Sequence, residues 1–232
     1  MEKKIGKLIA FEGIDGSGKS TITSMLCDML RAKGFTAEKF VNASGGTSNY
    51  WQTILSIKKE LKGTPLETPP EIEQAFHTME FLEYCRYSLP QKLQECDFVF
   101  ADRYALGKML ISELITGKTD SWSRRLLEQQ LHSGAIPQPD KTFYLQTEPE
   151  EAFRRIVKRG QNLEDKEQLE MLKKAVVLFN KLLYRNRDIV SVPTNLGPKL
   201  VCEEIIKYIV PQCGQKRDFN MVIDNNKSKE RG

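Results

Sequence analysis

The chain has 232 residues, of which 40% are hydrophobic and 28% are charged, and its formal net charge is +4. This length suits one α/β domain with a substantial core, and such a small net charge does not indicate a nucleic-acid or membrane partner. The apolar runs are far shorter than a membrane span, and the start MEKKIGKLIAF lacks the features of a signal peptide. The five cysteines form no CxxC pair. We therefore expect a cytoplasmic protein with free thiols.

Short apolar runs alternate with helical patterns along the chain. The runs KLIAFEG, AEKFVN, FVFAD, KTFYLQ and DIVSVP indicate strands, and apolar residues at helical spacing indicate helices near 20–33, 50–61, 70–95, 105–115, 121–134, 149–159, 165–186 and 198–209. This alternation predicts right-handed βαβ units and a parallel sheet, in which ligands bind beyond the carboxyl ends of the strands. We expect one domain at 1–212, followed by a polar extension at 213–232.

The first predicted strand leads into a glycine-rich stretch and then a helix. Residues 13–20 fit the pattern G-x-x-x-x-G-K-S/T, whose backbone N–H groups bind phosphate at a helix N-terminus. Lys19 can reach the β- and γ-phosphates, and the Ser20 hydroxyl can ligate Mg²⁺. A glycine-rich turn that binds nothing is the alternative, but the flanking strand and helix are the context that the motif requires. The predicted ATP-binding residues are Gly13, Ile14, Asp15, Gly16, Ser17, Gly18, Lys19, Ser20 and Thr21.

The loop by itself does not say which molecule accepts the phosphate. A GTPase should carry a base-reading NKxD stretch, which is not found in a suitable place here, and a motor ATPase would need further domains for which the chain has no room. Small-molecule kinases use the same loop. The sequence therefore favours a kinase of this last kind.

The predicted strand DFVFADRY ends in Asp102, Arg103 and Tyr104. The Asp102 carboxylate can hold Mg²⁺ through water or position the acceptor, and the Arg103 guanidinium can clamp an anionic substrate. Taken alone, such a pair at a strand end is as often structural. Together with the loop at 13–20, it indicates phosphoryl transfer.

The stretch FEGIDGSGKST, followed at a distance by DRY and then by TEPEEAFRRIVKRG, resembles the thymidylate kinase family from about Lys7 to Ile209. The resemblance implies a three-layer P-loop NTPase fold, in which a parallel five-stranded sheet is flanked by helices, with a small helical lid at about 154–165. It also implies a homodimer that transfers the γ-phosphoryl group of ATP, with Mg²⁺, to a nucleoside 5′-monophosphate. The default acceptor is dTMP.

The resemblance also implies roles for individual residues on the acceptor side. Asp15 matches a carboxylate that contacts the sugar 3′-hydroxyl or the nearby donor phosphates. Arg103 matches an arginine that holds the acceptor phosphate, and Tyr104 is assigned to the same substrate site. Arg86 aligns with an arginine on the helix that covers the base, although a solvated helix face is an equal alternative.

The stretch PEEAFRRIVKRG matches the family's lid and carries four cations, Arg154, Arg155, Lys158 and Arg159. A mobile arginine can stabilise the negative charge that spreads over the transferring phosphoryl group. We assign this catalytic role to Arg155 and Arg159. The lid has to supply such an arginine because Gly16 stands where some family members carry one in the loop. At least one of the four cations should simply face water.

Some positions depart from the family pattern. Asn42, Ala43 and Ser44 precede Gly-Gly-Thr where Arg-Glu-Pro is expected, so one phosphate-holding arginine is missing. Leu82 replaces a phenylalanine that stacks on the base, and the adjacent Phe81 would point about 100° away around a helix. The stretch ALGKMLISEL replaces a serine-rich turn and a Tyr-Gln pair near the base. These departures leave the identity of the acceptor open.

Two alternatives to a nucleoside monophosphate kinase follow from these departures. A deoxynucleoside or modified-nucleotide kinase shares the RxxxRG style of lid, and Glu12 occupies a place comparable to that of the base in deoxynucleoside kinases. A degenerate P-loop protein would bind nucleotide only as a partner or regulator. The intact loop and the Asp-Arg pair argue against the degenerate protein, whereas the missing arginine argues for it.

Overall fold

The computed structural model describes residues 5–40, 49–61, 63–64, 69–160, 167–186 and 188–210. The strands are β1 (Lys7–Glu12), β2 (Ala37–Phe40), β3 (Phe98–Asp102), β4 (Lys141–Gln146) and β5 (Ile189–Pro193). The helices are α1 (Lys19–Ala32), α2 (Asn49–Leu61), α3 (Pro70–Glu95), α4 (Ala105–Thr116), α5 (Trp122–His132), α6 (Pro149–Lys158), α7 (Leu169–Arg185) and α8 (Pro198–Ile209). Every strand and helix expected from the sequence is present, with bounds that differ by a few residues.

The five strands form one parallel sheet in the order β2-β3-β1-β4-β5. Strand β1 lies between β3 and β4, and its register pairs Phe11 with Asp102 and Glu12 with Tyr144. The segments that follow β1 and β3 therefore leave the same edge of the sheet from adjacent strands. This places the glycine-rich loop beside the Asp102–Tyr104 segment.

Both faces of the sheet are covered by helices, which confirms the three-layer fold. Along β1, Ile9 and Phe11 pack in a core with residues of α1 and α8, whereas Leu8 and Ala10 pack in a second core with residues of α3, α4 and α5. A third core joins α4, α6 and α7 beside the end of β4. Because side chains alternate between two buried faces, the strands consist of almost unbroken apolar runs.

Several sequence-based expectations lie wholly or partly outside the described residues. These are the departures at Asn42, Ala43 and Ser44, the part of the lid at 161–166, and the extension at 213–232. In the part that is described, Cys27, Cys85, Cys96 and Cys202 are free thiols, as predicted. None of the helices described is long and apolar enough to cross a membrane.

Candidate active site

The glycine-rich loop connects β1 directly to the first turn of α1. Gly13, Gly16 and Gly18 have φ angles of 148°, 79° and 95°, in the region that favours glycine. Gly18 is the N-cap of α1, and Lys19 is the first residue of the helix. The loop therefore ends at the helix N-terminus, where unpaired N–H groups and the helix dipole favour a bound phosphate.

Gly16 lies against the backbone of α6. A β-carbon at this position would overlap the carbonyl oxygen of Ala152, and it would lie 3.0 Å from the Ala152 Cα. An arginine at position 16 therefore does not fit this packing. An arginine that acts on the transferring phosphoryl group therefore has to come from a position other than 16.

Lys19 lies inside the loop and is 7% exposed. Its ammonium donates hydrogen bonds to the carbonyl oxygens of Gly13, at 3.1 Å, and Ile14, at 2.9 Å. Burial, assisted by Arg103, lowers the pKa of Lys19 to about 8, and nearby carboxylates including Asp15 oppose this shift. The ammonium is thus held within the loop by weak neutral acceptors, which a phosphate can replace.

The two predicted Mg²⁺ ligands come together from different elements. Ser20, in the first turn of α1, donates a hydrogen bond from its hydroxyl to the Asp102 carboxylate at the end of β3. Oxygen ligands suit Mg²⁺, which commonly takes only one or two protein ligands and completes its shell with phosphates and water. The described residues contain no group of three or more metal-ligating side chains. The Ser20–Asp102 pair thus offers oxygen ligands of the kind that Mg²⁺ takes.

Arg103 is held in an unusual backbone conformation next to this pair. Its φ is 68°, and no other non-glycine residue in the described ranges has a positive φ. Its N–H donates to the Phe11 carbonyl at 2.9 Å, and its Nη2 donates to the Asp15 carboxylate at 2.7 Å. Its Nη1 is buried and has no hydrogen-bond partner within the described residues. The guanidinium as a whole is 13% exposed, and its charged donors are suited to an anionic substrate.

Glu12 is a site residue that the sequence suggested only through an alternative family. It is the last residue of β1, it is 1% exposed, and its Oε1 accepts a hydrogen bond from the Tyr104 N–H at 3.0 Å. Burial raises the pKa of Glu12 to about 7, while the Arg103 guanidinium and the N–H groups near the start of α4 act in the opposite direction. An acidic residue at the end of an apolar strand was the available signal.

Tyr104 uses its side chain inside the protein. The residue is 2% exposed, and its hydroxyl donates to the Pro137 carbonyl at 2.7 Å. Its ring packs edge-on against the Phe81 ring, with 5.2 Å between the ring centres. Phe81 is fully buried, and Leu82 is partly buried beside the same core. The substrate contact expected for Tyr104 therefore stays a prediction, and the structure shows a core role for its ring.

Arg86 is an exposed residue of α3. Its Nη2 donates to the Gln130 side chain of α5 at 2.9 Å. Closer to the start of α4, the Lys108 ammonium lies 5.9 Å from the centre of the Phe81 ring. A contact of Arg86 with a base stays a prediction.

The described part of the lid brings one cation to the phosphate loop. Arg155 on α6 bonds Glu151 at 2.7 Å and the Thr194 carbonyl at 3.3 Å, and its Nη1 is 4.0 Å from the position of a β-carbon on Gly18. Arg154 pairs with Glu151 and is 73% exposed. Arg159 follows the helix and pairs with Glu167 at 2.6 Å. Of the two arginines predicted to be catalytic, Arg155 is therefore the one seen beside the loop.

Comparison with known protein sequences finds relatives along most of the chain. A family model described as thymidylate kinase matches residues 11–205. A probable thymidylate kinase of Archaeoglobus fulgidus is 30% identical over 215 residues, which make up 92% of this chain and 100% of the relative. A thymidylate kinase of Leptospira borgpetersenii is 27% identical and is matched over 95% of this chain and 97% of its own length.

Comparison with solved structures finds the same fold. The thymidylate kinase of Candida albicans superimposes with a TM-score of 0.66 at 20% identity, covering 90% of this chain and 92% of that one. The deoxyadenosine kinase of M. mycoides, solved with dCMP and dCDP, gives a TM-score of 0.61 at 22% identity, covering 88% and 99%. At these identities the similarity concerns the fold, a parallel sheet flanked by helices.

Proposed function

Since this chain belongs to the thymidylate kinase family, we propose that it transfers the γ-phosphoryl group of ATP to a nucleoside 5′-monophosphate, with dTMP as the acceptor. The observation that carries this proposal is the meeting of Lys19, Ser20, Asp102 and Arg103 at one edge of the sheet. An ammonium, a hydroxyl-carboxylate pair and a guanidinium are the groups that phosphoryl transfer requires.

The donor side is the loop at 13–20. Its N–H groups and the Lys19 ammonium bind the β- and γ-phosphates of ATP, with Lys19 exchanging the carbonyls of Gly13 and Ile14 for phosphate oxygens. Ser20 and Asp102 would hold Mg²⁺. When bound, the ion neutralises charge on the phosphate oxygens and orients them.

The acceptor side is built around Arg103. Asp15 fixes one arm of the guanidinium, and the accessible part of this side chain, which is 13% exposed, would bind the phosphate of the monophosphate. A phosphate monoester has a second pKa near 6, so its attacking oxygen is already ionised at pH 7 and needs no general base. Arg155, beside Gly18, supplies positive charge to the transition state.

The test is ADP formation from Mg-ATP with a panel of nucleosides, nucleoside monophosphates and modified nucleotides. We expect turnover with dTMP and none with thymidine. Because Leu82 stands where a stacking aromatic is expected, about 1 kcal/mol of base affinity is missing, and discrimination between monophosphates should be modest. Faster ADP formation with nucleosides than with monophosphates would instead support a deoxynucleoside kinase. No ADP formation with any acceptor would support a protein that only binds nucleotide.

Two variants check the assignment of donor and acceptor sides. Lys19→Ala should remove turnover. Arg103→Ala should raise the KM of the acceptor while the Kd of ATP, measured by calorimetry, stays near that of the parent. Loss of ATP binding with unchanged acceptor affinity would contradict the role given to Arg103.

The remaining expectations concern the protein in the cell. The homodimer and the cytoplasmic location stay predictions. Sedimentation at equilibrium distinguishes a dimer from a monomer directly, and we expect twice the mass of one chain.

A further inference from the structure

The backbone on both sides of the Arg103 Cα is held by the end of β1. A non-glycine residue in the left-handed region is disfavoured by about 1–2 kcal/mol, so the conformation persists only where its surroundings impose it. The N–H of Arg103 bonds the Phe11 carbonyl, and the next N–H, of Tyr104, bonds the Glu12 carboxylate. Two consecutive residues of β1 therefore bind two consecutive N–H groups at the Arg103 turn.

The same carboxylate occupies space beside Gly107, the third residue of α4. A β-carbon on Gly107 would overlap the Glu12 Oε2 and would lie 2.7 Å from the Arg103 Cγ. The φ of Gly107 is not in the left-handed region, and glycine inside a helix is about 1 kcal/mol less favourable than alanine. The backbone thus does not require glycine here. The space for the Glu12 carboxylate and the Arg103 side chain does require it.

We propose that Glu12 is a positioning residue for Arg103, whose buried carboxylate sets the turn between β3 and α4 by bonding the Tyr104 N–H and filling the space at Gly107. A carboxylate at the start of α4 is also favoured by the helix dipole. This arrangement aims the Arg103 guanidinium at Asp15 and the acceptor phosphate. The inference rests on the proposed function only for the identity of the acceptor.

A double-mutant cycle between positions 12 and 107 tests this role. Glu12→Ala and Gly107→Ala should each raise the KM for dTMP about tenfold or more, while the Kd for ATP changes less than about twofold. Adding Gly107→Ala to Glu12→Ala should change the acceptor KM less than about threefold, because the overlapping carboxylate is gone and the Arg103 side chain, 2.7 Å from the added carbon, can shift into the vacated space. Independent effects of the two substitutions would overturn the proposal.

Glu12→Gln separates positioning from chemistry, since it keeps one oxygen for the Tyr104 N–H. We expect it to keep the acceptor KM within about threefold of the parent. A loss of kcat of about a hundredfold with unchanged acceptor KM would mean that the carboxylate acts on the reacting atoms, and that result would overturn the proposal.

The control variant is Glu113→Ala, which removes the 3.1 Å contact of α4 with Arg124 without touching the Arg103 turn. It should leave the acceptor KM unchanged, and an increase as large as that of Gly107→Ala would show general loosening of α4 instead. The cycle is also measured in thermal unfolding, which needs no substrate. If the effects of Glu12→Ala and Gly107→Ala on the melting temperature simply add, this inference is contradicted. If they do not add but the parent protein has no kinase activity, only the proposed function is contradicted.

Discussion

The charged residues of the site, of which Lys19 and Glu12 are buried, lie close together. Asp15 lies 2.7 Å from the Arg103 guanidinium and 3.9 Å from the Lys19 ammonium, so one carboxylate serves both cations. Burial disfavours the charged forms of Lys19 and Glu12, and their pKa values move toward neutrality, to about 8 and about 7. Shifts of this kind are typical of functional sites.

Stability should depend on pH through Glu12. Its pKa rises from 4.5 to about 7 on folding, so between these values the folded state binds more protons than the unfolded chain. The contribution of this group to the free energy of unfolding therefore falls as pH rises through that window. The neighbouring cations Arg103 and Lys19 oppose the shift.

Glu12→Gln removes this titration. We expect the difference in melting temperature, variant minus parent, to be larger at pH 8 than at pH 5. The change in this difference should correspond to a few kcal/mol in the free energy of unfolding. Thermal unfolding followed by circular dichroism at both pH values measures it. A difference between the two proteins that does not change with pH would contradict the shifted pKa.

Among the structural elements, the contact between the phosphate loop and α6 determines which residues can reach the nucleotide. Gly16→Ala places a β-carbon against the Ala152 carbonyl, whereas the same change at Gly134, which also has a positive φ, meets nothing within 4 Å. Both variants pay the left-handed penalty of about 1–2 kcal/mol. We expect only Gly16→Ala to lose further stability and also turnover, as measured by unfolding and ADP formation. Equal effects of the two variants would mean that the loop and α6 are not in close contact.

Helix α6 offers a matched pair of arginines for testing the lid. Arg155 lies beside the loop at Gly18, and the adjacent Arg154 is exposed to solvent. Arg155→Ala should lower kcat about 10³-fold with little change in the Kd of either substrate, because the guanidinium acts on charge that exists mainly in the transition state. Arg154→Ala should stay within about twofold of the parent, since exposed ion pairs contribute little. Equal losses in pre-steady-state measurements would contradict this assignment.

At the scale of the whole molecule, the strands and helices of the described residues run from Lys7 to Ile209. Helix α8 contributes four buried side chains to the core that it shares with α1, namely Val201, Cys202, Ile205 and Ile209. Buried aliphatic side chains stabilise by about 1.5–3 kcal/mol each, so α8 accounts for a large part of a typical folding free energy.

Two truncations follow from this arrangement. Removal of 213–232 should leave both the melting temperature and turnover unchanged. Removal of all residues from Pro198 onward should abolish cooperative unfolding, because the core on one face of the sheet loses its cover. A large loss of stability or turnover in the shorter truncation would assign the extension to the domain itself.

The sequence by itself determined the order and type of the elements, the parallel sheet and the phosphate loop. The reason is that these depend on local patterns: helical spacing, apolar runs, and a contiguous motif between a strand and a helix. The pairing of Ser20 with Asp102 was also predictable, because residues that follow neighbouring parallel strands meet at one edge of the sheet.

Tertiary structure alone decided which of the candidate side chains named from the sequence reach the site. It placed Arg155 rather than Arg159 at the loop, turned the Tyr104 ring into the core, and brought the Glu12 carboxylate against Gly107. Each of these contacts joins residues far apart in the chain, and each depends on strand order, register and the packing of one helix on another. Spacing along the sequence carries no information about such contacts, because a side chain's neighbours are set by the strands and helices that pack around it.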